Sequence, residues 1–422
     1  MNQTISEKIL SRICGKTVAT GEVVFPEPEL VTVHDWYAAN VGAALEEFGV
    51  ETLFDPERVM FTTDHEPVAV SLQAAIRQKR VRGVANRYRI GHFYDAGRGG
   101  QGHVFPVELG YITPGMFIQG YDTHVTNYGA VGALAIAILT EVTEVMALGS
   151  IWQTVPETVR VDLTGQLPDG VSIRDAAQAL LRILDAEAID DAVVEFGGAG
   201  AAGLGIDARF TLCNTPTEIG ARSSIVEPDA LVADYLKGRT EKPYELVCSD
   251  PGANYRDRLT FDLSACEPQV AAPPRPENVV DISSVVGTPI DHAYIGSCAS
   301  GMLSDLQAAA DILRGQKIHP RIRLFVTPVS QKVAEDATAE GLMQVFLEAG
   351  AIITQAGCGV CAGGRVGPVA SGETSIGTGT RNDPGRLGAH DAQLYLGSPA
   401  TVAAAALKGE IVDPRSLSEM SA

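Results

Sequence analysis

The chain has 422 residues, 45% of them apolar, enough to bury a large core and to form more than one domain. Thirty-two basic against 52 acidic residues give a formal net charge of -20 with no interrupting Lys/Arg block, which argues against binding to a phosphate backbone. The longest near-uncharged apolar run, residues 129–139, falls far short of the roughly 20 residues a membrane span needs, and the N-terminus carries no charged-then-apolar leader pattern. The expectation is a cytoplasmic protein with neither nucleic-acid nor membrane partners.

Along the chain, RVMFTT (58–63), TVRVDL (158–163), AVVEF (192–196) and IRLFVT (322–327) are short β-branched or aromatic runs. SLQAAIRQKRV (71–81) and AAQALLRIL (176–184) carry helical periodicity. Their alternation predicts an α/β fold. A proline-rich segment, EPQVAAPPRPENVV (267–280), reads as a linker, because proline is excluded from helix interiors and central strands. A softer boundary falls near 148–155, so the predicted domains are 1–150, 151–275 and 276–422.

Seven cysteines, an odd number over a long chain, do not form an oxidised secreted framework, and reduced thiols are expected. Cys358 and Cys361 form a Cys-x-x-Cys pair in QAGCGVCAGG. Cys298 lies in AYIGSCASGMLSDLQAAADIL, on a Gly-Ser-Cys turn between a predicted strand and an amphipathic helix. A thiolate near a helix N-terminus is stabilised by the dipole. Three thiolates can hold a 4Fe-4S cluster with one iron left open, or a zinc ion with a histidine as fourth ligand. Spacing alone leaves both open. Cys14, Cys213, Cys248 and Cys266 show no ligand spacing and read as structural.

Three histidines have acidic, hydroxyl or glycine neighbours: Asp64-His65 in TTDHEPVA, His103 in GRGGQGHVFP, and His124 in GYDTHVTNYGA. Carboxylate neighbours fix tautomers and support proton transfer. The GAGAAG run at 198–203 fits a dinucleotide fingerprint in spacing, but the LGIDARFTLCN stretch after it lacks a convincing phosphate-facing helix, so it reads as a decoy. Arg381 and Arg386 flank an Asn-Asp-Pro-Gly turn from which they can grip carboxylates.

Taken in order, several segments resemble the aconitase superfamily, in particular large subunits of the 3-isopropylmalate dehydratase and homoaconitase branch. They are SEKILSRICGK, LFDPERVMFTTDH, ITPGMFIQGYDTH, VPETVRVDLTGQLPDGVSIRDAA, FTLCNTPTEIGA, IGSCAS, GCGVC, TRNDPGR and GSPATVAAAALKGEIVDP. The resemblance implies three α/β domains surrounding a 4Fe-4S cluster, with Cys298, Cys358 and Cys361 as its ligands. It implies a hydro-lyase acting on a hydroxy-diacid. Asp64 and His65 match the pair that handles the proton of the departing hydroxyl, His103 and Asp122 match a second pair, and His124 matches the histidine partnered by Glu218. Asn214, Arg381 and Arg386 match substrate-side positions, and His34 and Thr123 fall at positions near substrate in relatives. Single-chain members carry a further swivel domain with a serine base and another arginine. Its absence after VDPRSLSEMSA implies a separate small subunit that supplies it.

Departures bear on substrate choice. Cys298-Ala299-Ser300 replaces a usual Cys-Thr-Asn, Thr123 replaces a serine, and Thr380 stands where an asparagine is usual. Isopropylmalate is the first substrate expectation. The alternatives are a side-branch hydratase for maleate, citraconate or dimethylmaleate and, from another class, a metal-stabilised binding protein without turnover.

Overall fold

The computed structural model describes residues 2–184 and 186–419. It divides into two compact units, residues 1–164 with 185–261, and residues 165–184 with 262–422.

The first unit contains a five-stranded sheet built from β1 (Leu30–His34), β2 (Val59–Thr62), β3 (His92–Tyr94), β4 (Phe117–Tyr121) and β5 (Leu134–Ala137). All pairings are parallel and the spatial order is β3-β2-β1-β4-β5. A parallel sheet is covered on both faces, which is why LVTVH and VMFT run buried from end to end instead of alternating. One face packs Val31, Val33, Val59 and Phe61 against Val41 and Leu45 of the helix Asp35–Glu47 and Val81, Ala85 and Tyr88 of the helix Leu72–Tyr88. The latter helix starts where the Ser71 hydroxyl accepts the Ala74 N–H and ends at Arg89 in a left-handed conformation. On the other face Phe117, Leu134 and Ile136 meet Ile5, Ile9 and Leu10 of the N-terminal helix Ile5–Cys14.

That same core includes Val193 and Ile225 from a four-stranded sheet of β6 (Thr158–Thr164), β7 (Val193–Gly197), β8 (Ser223–Val226) and β9 (Asp257–Asp262), ordered β8-β7-β6-β9. Fully buried Glu195 on β7 accepts hydrogen bonds from Arg160, Ser249 and Tyr255, so the buried charge is paired and satisfied.

The second unit holds a seven-stranded sheet of β10 (Gln269–Ala271), β11 (Val279–Asp281), β12 (His292–Ile295), β13 (Arg323–Val326), β14 (Ile352–Ile353), β15 (Thr374–Gly377) and β16 (Gln393–Leu396). Its order is β11-β10-β16-β15-β12-β13-β14, parallel from β16 to β14 and antiparallel at the β10–β11 edge. The helix Ile173–Ile183 belongs to this unit. Its Asp175 carboxylate accepts the Gln269 N–H at 3.0 Å, and Gln178 donates to the Leu396 carbonyl at 3.0 Å.

The linker reading of 267–280 is corrected here. These residues form the β10–β11 hairpin, and Pro273, Pro274 and Pro276 sit in its turn, where no ladder N–H is required. The six segments expected as strands and helices are observed as such. Among the described residues no helix is long and apolar enough to cross a membrane.

Candidate active site residues

In the first unit every singled-out acid and base except Glu218 follows a strand of the five-stranded sheet. His34 ends β1, Asp64 and His65 follow β2, His103 lies in the segment between β3 and β4, and Asp122 and His124 follow β4. Strand order reverses between β1 and β4, the place where an open parallel sheet leaves a crevice at its carboxyl edge.

Asp122 is the hub of this set. Its carboxylate lies 3.0 Å from His124 Nδ1, 3.7 Å from His34 Nε2, and 3.9 Å from both His65 Nε2 and His103 Nε2. It also caps the short helix Thr123–Val131 by accepting the His124 N–H. Burial pulls its carboxyl upward, but the surrounding imidazoles of His103, His124 and His34, with the hydrogen bond to His124, hold it well below the usual carboxylate range. The His124 ring is gripped from its other side by Glu218, Nε2 to Oε1 2.7 Å.

His65 Nδ1 lies 2.9 Å from Asp64 Oδ1, and Asp64 Oδ2 accepts the Gly102 N–H at 2.7 Å. The His65 ring stacks on His34 with centroids 4.0 Å apart and meets Trp36 at 4.7 Å. Burial favours a neutral ring, yet Asp64, Asp35 and Asp122 together push His65 up to about 9. His34 and His103 lack so close a carboxylate, and burial drives them down to about 3 and about 4. At neutral pH a protonated His65 therefore stands beside neutral His34 and His103, which is the division a proton donor and acceptor require.

Asn214 ends the helix Ile206–Asn214 and donates to Asn127 Oδ1 at 2.9 Å. Thr123 is exposed at the start of its helix. Asp35 escaped sequence reasoning, although a second acid directly after His34 at a strand-to-helix junction was a readable signal. It is buried and accepts the N–H groups of His65 and Glu66, each at 3.1 Å.

In the second unit the cysteines follow strands of the parallel sheet, Cys298 at the order reversal between β15 and β12 and the other two after the edge strand. Cys298 follows β12, Cys358 and Cys361 follow β14, and Thr380, Arg381 and Arg386 follow β15. All three thiols are buried and unpaired by disulfide, and all three act on the fully buried Tyr294, whose hydroxyl donates to the Cys358 carbonyl at 3.0 Å. Burial, then Cys361, Cys358 and Cys298 in turn, raise the Tyr294 hydroxyl well above its ordinary range. A hydrogen bond from Cys358 and the guanidinium of Arg386, 3.7 Å from Cys361 Sγ, hold the Cys361 thiol well below its ordinary range despite burial. A buried set of three thiols, one of them poised as thiolate, fits a thiolate-ligated metal centre.

The helix-dipole argument for Cys298 is corrected. The helix begins only at Leu303, with Met302 as its cap, and the dipole effect fades beyond the first turn. Cys298 is held instead by a tight loop. Ser297 adopts a left-handed conformation at φ 77°, and its hydroxyl donates to the Thr378 carbonyl at 2.8 Å. Arg381 is exposed and pairs with Asp383 at 3.2 Å, while Arg386 is the arginine brought to the thiols.

The model of the aconitase family (aconitate hydratase) matches residues 7–289 and 283–409. The chain belongs to this family. Among relatives, the 3-isopropylmalate dehydratase large subunit 1 of Methanopyrus kandleri is 40% identical over 416 residues, 98% of this chain and 99% of the relative. Large subunit 2 of Rubrobacter xylanophilus is 38% identical over 419 residues, 99% of each chain. Large subunit 1 of Archaeoglobus fulgidus is 39% identical over 422 residues, 99% of this chain and 100% of the relative.

Proposed function

We propose that this family member is the large subunit of a hydro-lyase that dehydrates and rehydrates a hydroxy-diacid, with 3-isopropylmalate as its substrate. The observation that carries this reading is the buried thiol set around Tyr294, with Arg386 against Cys361. Full-length similarity to relatives named 3-isopropylmalate dehydratase large subunit supports the choice of substrate and the need for a small subunit.

In this reading Cys298, Cys358 and Cys361 ligate a 4Fe-4S cluster, which when bound supplies Lewis-acid polarisation of the hydroxyl to be expelled. His65, protonated and braced by Asp64, delivers a proton to the departing hydroxyl. Its Nδ1–H is committed to Asp64, leaving Nε2 as the donating atom. Asp122 carries the negative charge that keeps the surrounding imidazoles oriented, and Glu218 fixes the His124 ring. His103, neutral, is the acceptor-competent ring of the set. Arg381 and Arg386 bind a substrate carboxylate, while His34, Thr123 and Asn214 contact the remainder. A small subunit contributes the swivel domain and the carbanion-forming base.

The test is an anaerobic assay of the reconstituted chain, with and without a small subunit from the same organism, on a panel of hydroxy-diacids and monocarboxylate analogues. Turnover of 3-isopropylmalate by the pair alone is expected. Turnover only of maleate, citraconate or dimethylmaleate would move the chain to a side-branch hydratase. Stoichiometric zinc with no iron uptake and no turnover would overturn the reading.

A further inference from the structure

Within the His65 neighbourhood two carboxylates, not one, face the same ring nitrogen. Asp64 Oδ1 lies 2.9 Å from His65 Nδ1, and Asp35 Oδ1 lies 3.8 Å from it. Asp35 is the first residue of the helix Asp35–Glu47 and is completely buried. Its Oδ1 accepts the His65 N–H and its Oδ2 accepts the Glu66 N–H, both at 3.1 Å. One carboxylate thus holds two consecutive amides of the loop that carries the proton-handling residue, from a helix anchored on the strand that ends in His34. Glu66 is pinned in turn by an ion pair to Arg77, and its carbonyl accepts from Gln78 at 2.8 Å. A buried ion needs this degree of satisfaction to be tolerated at all.

We infer that Asp35 is a positioning residue for His65, clamping the 65–66 backbone so that Nδ1 meets Asp64, with its own carboxyl facing the same ring nitrogen as a second oxygen partner. This rests on the proton-handling role proposed for His65. The charged and titratable groups around that ring are Asp64 and Asp35 on the Nδ1 side and Asp122 and His34 on the other, with His103 beyond. Removing Asp35 leaves Asp64 to hold the ring alone and frees the loop that aims it. Burial and the nearby Asp64 push the Asp35 carboxyl upward, consistent with two acids competing for one cation.

The experiment replaces Asp35 with Asn in the full-length chain and follows the ¹⁵N-histidine NMR titration of His65, alongside kcat and KM of the complex with the small subunit. Asp35→Asn should move the His65 titration to lower pH by about one pH unit. It should lower kcat on the order of 10-fold or more with KM within about 2-fold, and bring the alkaline limb of the kcat profile down with the titration. Asp35→Glu keeps a carboxyl but displaces the clamp. It should lose kcat while the titration stays near wild type, and it serves equally where Asp35→Asn does not fold. An unmoved His65 titration in Asp35→Asn, or wild-type kcat in Asp35→Glu, would overturn the inference. If the titration moves but no hydroxy-diacid turns over with the wild-type complex, the functional reading falls and the positioning of His65 by Asp35 stands.

Discussion

Asp64 and His65 illustrate how a neighbouring acid outweighs desolvation: burial alone would leave His65 neutral, as it leaves His34 and His103, yet a carboxylate at 2.9 Å reverses the outcome. Asp64→Asn should slow turnover by a factor on the order of 10² or more while leaving the thiol-centred absorption unchanged, since the cysteines lie on other strands. Wild-type rates would remove the pair from the mechanism. The same groups shape stability against pH. His65 titrates near 9 when folded against an ordinary value of 6.5, so its stabilising contribution is fully present below about pH 6.5 and is lost as pH rises through about 9. His34 and His103 are held neutral, so they destabilise the fold as pH falls from about 6.5 toward about 4. Urea unfolding from pH 4 to 10 should therefore show a maximum near the ordinary histidine value, and in Asp64→Asn the alkaline decline should flatten. An undiminished alkaline decline in the variant would assign it to other groups.

Among the elements, the short helix Thr123–Val131 carries His124 and lies directly against β8. A Cβ on Gly129 would collide with the Ser224 carbonyl oxygen, a backbone atom that cannot swing aside. Gly129→Ala should cost about 2 kcal/mol or more, read as a lower urea midpoint. Gly203→Ala meets only ordinary contacts, 3.5 Å to the Gly200 carbonyl oxygen, in a right-handed conformation, and should leave the midpoint nearly unchanged. Equal midpoints for the two variants would contradict the close-approach argument. The glycines of 198–203 have a packing reason of their own. They form a short helix after β7 in which a Cβ on Gly200 would sit 2.8 Å from the Leu163 backbone of β6. The helices and strands were readable because each carries its period or its β-branched run. The β10–β11 hairpin was not, because its prolines mark a turn without revealing what the flanking residues pair with.

For the molecule as a whole, 52 acidic against 32 basic residues disfavour binding to a phosphate backbone. Anaerobic reconstitution should give a brown protein with close to four irons per chain, as a 4Fe-4S centre requires, and Cys358→Ser should abolish uptake. Zinc at one per chain without sulfide would oppose this. The isolated chain should take up iron without turning over substrate, and addition of the small subunit should restore turnover; full activity of the chain alone would show that no second subunit is needed.

The amino-acid sequence by itself determined the α/β class, the reduced cysteines and the candidate acids, bases and thiols, because each depends on residue type and short-range spacing. Cys298 and Cys358 are 60 positions apart, and what brought them to one tyrosine was the parallel order of β14, β13, β12 and β15, which no local pattern encodes. Only the tertiary structure decided that Asp122 is shared by four imidazoles, that Arg386 rather than Arg381 approaches a thiol, and that Asp35 braces His65. Each of these depends on which strand ends lie side by side, and that is set by burial of both faces of a parallel sheet rather than by neighbours along the chain.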